Sequence, residues 1–450
     1  MLTLGYVFGG AVPRRAPLMT IAIVALNAVV YIVTSSTTYF TSTSVSYIYK
    51  LGYIPALLLS NEGVIRMFTS MFIHADLLHI VFNMYFLYVF GKGVEDLVGS
   101  RRFLLLYIVS GVGAALFHTA SISISGLEAL DIPAVGASGA ISGVLGAYLM
   151  FFPGTSLVAC FPLLFLPACF TVRASIYLVF WFAMQVLYGY MRIGGVAFFA
   201  HAGGFITGIA MAWVLGRSKV IELKTFREGF FFFRYIVFRV YREGLGFFTK
   251  AILILLIVAT AATMLYYSIS TDTNLVVVYS GSVKINGYSD AVLLKMVADR
   301  GYSYSGFEYV YTDIVLLRLS KIGFLINPEL SGRSLDYLQN PLSGDVEIRT
   351  EAFGRYISES VPVVLYAKAM YDERGVAILA EGRMYTQVVQ VSLEGRAIKV
   401  SKVPSVFDFS IVLNGPHTGE SVTVASIPAV LISLVATYVV ARKDGELSVS

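Results

Sequence analysis

Eight stretches of this 450-residue chain are apolar over lengths that match, or nearly match, a bilayer crossing: 18–36, 76–91, 103–120, 138–152, 174–190, 196–215, 250–268 and 424–441. A crossing helix needs about 20 mostly apolar residues. In lipid, only helices and closed barrels satisfy their own backbone polar groups. The pattern therefore points to a multi-span helical membrane protein. Charge usage agrees, because 14% of residues are charged where a soluble domain has about 25%. Disorder is excluded by a 57% apolar content, since disordered chains are apolar-poor. The stretch 156–170 is apolar but holds Pro162 and Pro167, and is expected at the interface rather than across the membrane. Arg14 and Arg15 precede the first span with no small-residue cleavage site, which reads as a retained anchor.

Basic residues set the orientation. Arg14 and Arg15, then Lys92, Arg101 and Arg102, then the run from Arg217 to Lys250, then Arg442 and Lys443 fall in alternate connections. Eight alternating spans put all four groups, and both termini, on the cytoplasmic side. The resulting division is a six-helix core at 1–217, a basic aromatic cytoplasmic segment at 218–249, a seventh span at 250–268, an outer domain at 270–423, an eighth span at 424–441 and a tail at 442–450. The outer stretch has a soluble composition. Runs 274–285 and 385–393 are rich in β-branched residues and Tyr, as strands are. The run 288–300 carries helical spacing with an early Asp. Within 219–249, aromatic clusters (Phe230 to Phe233, then Phe247 and Phe248) alternate with Arg, which suits an amphipathic helix on an anionic leaflet. The fold class expected is an all-α polytopic membrane protein with a β-rich soluble extracytoplasmic domain. Cys160 and Cys169 are too few for a disulfide scaffold or a four-cysteine metal site, and read as small buried hydrophobes. The basic residues flank spans rather than forming a soluble patch, so no nucleic-acid partner is expected.

Polar side chains inside spans are costly and face the protein interior. His74, His79 and Asn83 open span two, Ser138 opens span four, and His201 lies near the outer end of span six. In the eight-span order all five fall at a similar depth, where they can share one water-accessible cavity. A serine hydroxyl needs a base to become a nucleophile, and histidine is the usual one. Ser138 and His201 meet only if spans four and six pack closely, which small residues at four-residue spacing allow. Span four has Gly139, Gly143 and Gly146, and span six has Gly204 and Gly208. His79 and Asn83, four residues apart, share a helix face and offer N–H donors to a developing oxyanion. The Ser138 backbone N–H adds a third donor near a helix N-terminus. No Asp or Glu is placed to orient His201, so the expected unit is a dyad. Read singly, each residue has a blander role in helix packing or backbone bonding. His118 and His417 are set aside as incidental.

At these residues the sequence resembles the rhomboid family of intramembrane serine proteases, over about residues 18–216. Three motifs occur in family order: His74, His79 and Asn83 within 69–91; Gly136, Ser138 and Gly139; and His201 with Gly204 and Gly208. The resemblance implies Ser138 as nucleophile, His201 as general base, His79 and Asn83 as oxyanion donors, and close helix approach at Gly204. It implies a rhomboid-like six-helix core in spans one to six, with 37–75 as the first outer loop. Two positions depart from the family pattern. Ile65-Arg66 stands where Trp-Arg is frequent, which leaves Arg66 for loop hydrogen bonds. Ser142 stands where an aromatic often stacks on the base.

The activity expected is peptide-bond hydrolysis at membrane helices loosened by a helix-breaker, and the resemblance implies single-span membrane proteins as the substrates. Neither cofactor nor metal is expected, and no HExxH pattern occurs in the chain. A second reading is a non-catalytic membrane escort that holds client helices. Either way the partners are transmembrane proteins and the bilayer, with the outer domain as a candidate recruiter. The compact loops suit a prokaryotic plasma membrane.

Overall fold

A computed structural model describes residues 6–9, 11, 13–163, 166–193, 195–231, 244–297, 301–305, 310–352, 355–394 and 397–448. It divides into one unit of Met1–Val276 with Thr418–Ser450, and another of Val277–His417. The first unit is helical: α1 (Leu18–Ser35), α2 (Val45–Leu51), α3 (Asn61–Thr69), α4 (Leu77–Val98), α5 (Ser100–Ala120), α6 (Ile122–Ser125), α7 (Ser138–Phe151), α8 (Ala174–Tyr190), α9 (Phe198–Phe231) and α10 (Phe247–Ser270). After α11 (Val310–Lys321) of the second unit come α12 (Glu420–Arg442) and the short α13 (Asp444–Leu447). Among the described residues, six helices are long and apolar enough to cross a membrane, and α7 and α8 are shorter apolar helices. A helix therefore stands at each of the eight expected positions in this multi-pass membrane protein.

Local chemistry explains several boundaries. Asp76 caps α4, its carboxylate accepting from the His79 N–H at 2.8 Å. Gly99, at φ +85°, closes α4 and starts α5. Helix α1 follows Pro17 and has no cap of its own. Glu95 of α4 supplies one: its oxygens accept from the Met19 and Thr20 N–H groups, each at 2.8 Å, and from the Thr20 and Ser100 hydroxyls. A carboxylate buried to 3% exposure is tolerable only when its lone pairs are used in this way.

Helix α7 is buried along all 14 residues, as expected of a helix surrounded by others. At 1.5 Å per residue it is about 21 Å long, shorter than the ~30 Å hydrocarbon core. It packs on α4, α5 and α9. Its contact with α9 is glycine against backbone. A Cβ on Gly204 would lie 2.0 Å from the Gly139 carbonyl oxygen, and one on Gly208 would lie 1.9 Å from that of Gly143. Helix α12 packs on α5, α9 and α10, and α10 also packs on α8. The extra helices thus belong to the same bundle as the first six.

The apolar stretch 156–170 is an antiparallel hairpin of β2 (Ser156–Leu163) and β3 (Leu166–Arg173), joined by β1 (Tyr6–Gly9). The ladder sets Cys160 opposite Cys169. Cys169 is disulfide-bonded and exposed, not a buried hydrophobe. The basic aromatic segment does not begin as a separate surface helix, because α9 runs unbroken to Phe231. Residues 232–243 of that segment lie outside the described residues. Phe247 and Phe248 open α10.

The second unit is an eight-stranded sheet with α11 against it. The strands are β4 (Val276–Ile285), β5 (Tyr288–Val297), β6 (Gly301–Ser305), β7 (Ser334–Asp336), β8 (Leu342–Ala352), β9 (Arg355–Tyr371), β10 (Ala377–Glu394) and β11 (Ala397–Thr418). Their order is β6-β5-β4-β11-β10-β9-β7, with β8 also paired to β9. The runs expected as strands within 274–285 and 385–393 are strands. The helix expected at 288–300 is instead β5. Val292, Leu293 and Leu294 are buried in succession, so both faces of the strand are covered, and a continuously apolar run carries no period of two to read. The early Asp290 is not a helix cap. It is buried and accepts from the Thr312 hydroxyl. The core includes Tyr279, Leu294, Leu316, Phe324, Leu365 and Phe409. Tyr279 donates to Asp372 at 2.6 Å, tying β4 to the turn between β9 and β10.

Candidate active site

The loop before α7 is built to present Ser138. Gly136 takes φ +120°, which favours glycine, and its N–H donates to the Ser70 carbonyl at 2.9 Å. The next N–H, of Ala137, donates to His74 Nε2 at 3.4 Å. Ser138 then opens α7, so its own N–H belongs to a first turn that the helix leaves without an internal partner. The glycine contacts bring α9 close enough for His201 to reach it. The Ser138 hydroxyl is hydrogen-bonded to His201 Nε2 at 2.8 Å, and both residues are buried.

His79 completes this corner from α4. Its Nδ1 accepts from the Ala75 N–H at 3.4 Å, so its hydrogen sits on Nε2. That Nε2 lies 2.8 Å from where a Gly136 Cβ would stand, a point 3.6 Å from Ser138 Oγ. Asn83 donates one amide hydrogen to the His79 carbonyl at 2.7 Å, which leaves its second hydrogen available. His74 stands edge-on to His79, with ring centroids 5.1 Å apart. Arg66 is buried under the outer loop, donating to the Tyr49 and Gly52 carbonyls and pairing with Glu62. It secures the loop as expected without the neighbouring aromatic, since Ile65 is exposed.

A cavity of about 750 Å³ opens beside these groups, lined by His79, Asn83, Ser138 and His201 together with Phe82 and His118. His118, set aside on sequence, is part of its wall. Ser142 turns its hydroxyl to backbone. Its hydroxyl donates to the Ser138 carbonyl at 2.6 Å, and its Cβ stands where a Gly204 side chain would crowd it. The aromatic beside His201 comes instead from α8: the Trp181 ring lies 6.3 Å away, tilted by 31°. Phe198 lies edge-on from α9 at 6.4 Å. The sequence reading also missed Gln185 of α8, whose Oε1 lies 2.8 Å from His201 Nδ1. It is one amide in an apolar span, outside every recognisable motif. Of the expected site residues, His79, Asn83, Ser138 and His201 line this cavity, and His118 joins them; Gln185 and Trp181 stand behind His201.

A family model described as the rhomboid domain matches residues 61–218. Over 154 residues the chain is 32% identical to the RHOMBOID-like protein 6, mitochondrial, of Arabidopsis thaliana, covering 33% of this chain and 43% of that protein. It is 31% identical over 158 residues to the Rhomboid protein 1, mitochondrial, of Saccharomyces cerevisiae, covering 34% and 42%. It is 39% identical over 90 residues to the Rhomboid protease AarA of Providencia stuartii, covering 18% and 32%. The chain spans less than half the length of each of these relatives.

Proposed function

We propose, from the match of residues 61–218 to the rhomboid domain, that the chain is an intramembrane serine endopeptidase acting on single-span membrane proteins. The observation that carries this reading is the 2.8 Å bond between Ser138 and His201 at the edge of a large cavity. His201 Nε2 takes the hydroxyl proton as Ser138 Oγ attacks the scissile carbonyl carbon. Negative charge then collects on the carbonyl oxygen. His79 Nε2–H, the free Asn83 amide hydrogen and the Ser138 N–H are the donors for it. Collapse of this intermediate breaks the C–N bond, and His201 gives its proton to the departing amine. Water entering the cavity loses a proton to His201, attacks the ester and releases Ser138. The short α7 supports the topography this needs. With about 21 Å of helix in a ~30 Å core, the serine is recessed below one membrane face. A substrate helix must unwind to expose a carbonyl there, because its own hydrogen bonds shield its backbone. Segments with Gly or other helix-breakers are therefore the preferred sites.

The test is cleavage of a single-span reporter in liposomes by wild type, Ser138→Ala and His201→Ala, with fluorophosphonate labelling of Ser138 in parallel. Cleavage by wild type alone, with all three proteins folded, supports the reading. Inert wild type with an unlabelled Ser138 refutes it and favours a non-catalytic escort. We read the second unit, which lies outside the matched domain, as a substrate recruiter. Deleting 277–417 should then lower the rate on some reporters and spare others, and equal rates on every reporter would refute it. A prokaryotic plasma membrane is the location we propose.

A further inference from the structure

The amide of Gln185 is buried to 3% exposure on α8, and its two ends face different partners. Its nitrogen lies 3.4 Å from the Trp181 carbonyl, one helical turn earlier. A carbonyl only accepts, so the NH₂ group points there and Oε1 is the atom facing His201 at 2.8 Å. An amide oxygen also only accepts. His201 must therefore carry its hydrogen on Nδ1. In a neutral imidazole the other nitrogen is then a bare lone pair, and that nitrogen is the one 2.8 Å from the Ser138 hydroxyl. We propose that Gln185 is a positioning residue that fixes His201 in the Nδ1–H tautomer and aims Nε2 at Ser138, the part an aspartate plays in a triad.

This inference rests on the protease reading for its kinetic consequence, but not for its geometry. A neutral amide suits the site, because a carboxylate on a membrane helix would be a second buried charge. The blander role is helix–helix adhesion, which buried amides commonly provide in membranes. Adhesion would be satisfied by any donor on α9. The bond here goes instead to the one ring nitrogen that decides which tautomer the base adopts. Trp181, on the same face of α8 four residues earlier, walls the ring on another side, so one helix sets both its tilt and its protonation pattern.

The experiment uses the full-length protein with Gln185→Leu, which removes the acceptor, and Gln185→Glu, which keeps an acceptor at the same reach. Reporter cleavage in liposomes gives kcat and KM. ¹⁵N spectra of histidine-labelled protein give the tautomer, with the His201 signal assigned by its loss in His201→Ala. The expected result for Gln185→Leu is a kcat lower by about 10- to 100-fold with KM unchanged, and a His201 spectrum showing both tautomers. Gln185→Glu should recover most of kcat and the single Nδ1–H form. Wild-type kcat and an unchanged His201 spectrum in Gln185→Leu would overturn the proposal. So would equal losses in the Leu and Glu variants with KM altered in both. If wild type proves inert and Ser138 unlabelled, the protease reading fails separately, and the tautomer spectrum still decides the role of Gln185.

Discussion

Adding one methyl group at Gly204 tests whether backbone contact between α7 and α9 holds the dyad together. A Cβ built there lies 2.0 Å from the Gly139 carbonyl oxygen, where ordinary contact begins at 3.4 Å. The obstacle is helix backbone, so relief requires the two helices to part by about 1.4 Å at that level. Ser138 adjoins Gly139, and His201 lies one turn before Gly204 on the same side of α9. The same movement would stretch their 2.8 Å bond to about 4 Å, beyond hydrogen-bond reach. Overpacking of this kind costs about 1–3 kcal/mol of stability, and a displacement of about 1 Å at reacting groups costs on the order of 100-fold in rate. Gly204→Ala should therefore fold with a lowered thermal midpoint and cleave a single-span reporter about 100-fold more slowly in liposomes. Gly154→Ala, where a Cβ meets nothing within 4 Å, is the matched control. Wild-type rate and midpoint in Gly204→Ala would refute the idea that glycine contact sets the dyad distance.

Glu95→Ala strips α1 of the carboxylate that caps its Met19 and Thr20 N–H groups. It should lower stability by about 1–3 kcal/mol in thermal unfolding in detergent, and an unchanged midpoint would contradict the capping role. Tyr279→Phe removes the 2.6 Å bond to Asp372 and should cost the second unit about 1–2 kcal/mol, read from its own unfolding transition. The Ser358 hydroxyl, with help from Arg349, holds Glu347 below the usual carboxylate range. The stabilising effect is present above the ordinary carboxylate range and disappears as pH falls through the folded-state value. In NMR titration Ser358→Ala should move the Glu347 midpoint upward, and an unmoved midpoint would show that the hydroxyl has no part in it.

Hydropathy made the helices legible because lipid leaves so few options for a crossing chain: the expected spans coincide with α1, α4, α5, α7, α8, α9, α10 and α12, though α4 and α9 run on past their expected ends. Ser138, His201, His79 and Asn83 were legible because their chemistry demands particular residue types, and the glycines around them indicated which helices must touch. Gln185 was not legible. Its partner lies across the loop between α8 and α9, and a single amide carries no period or spacing to mark it. Trp181 was hidden for a related reason, as one more aromatic in an apolar span. The error at 288–300 came from a run buried on both faces, where helix and strand produce the same pattern. Cys169 was misjudged because its partner strand could not be inferred from an apolar stretch containing two prolines.

The connections of the second unit carry a consequence for how such a chain could be assembled. The unit begins with β4 and ends with β11, and these strands are neighbours in its sheet. On the other side of the junctions, α10 and α12 pack together, and the Gly419 N–H donates to the Thr273 carbonyl at 2.9 Å. Entry and exit are therefore side by side in both units. A folded cassette of 141 residues, Val277–His417, sits in what is otherwise a tight helical hairpin, and its removal need not pry the two helices apart. Such a junction can accept, lose or exchange its insert by recombination while the membrane bundle keeps its packing.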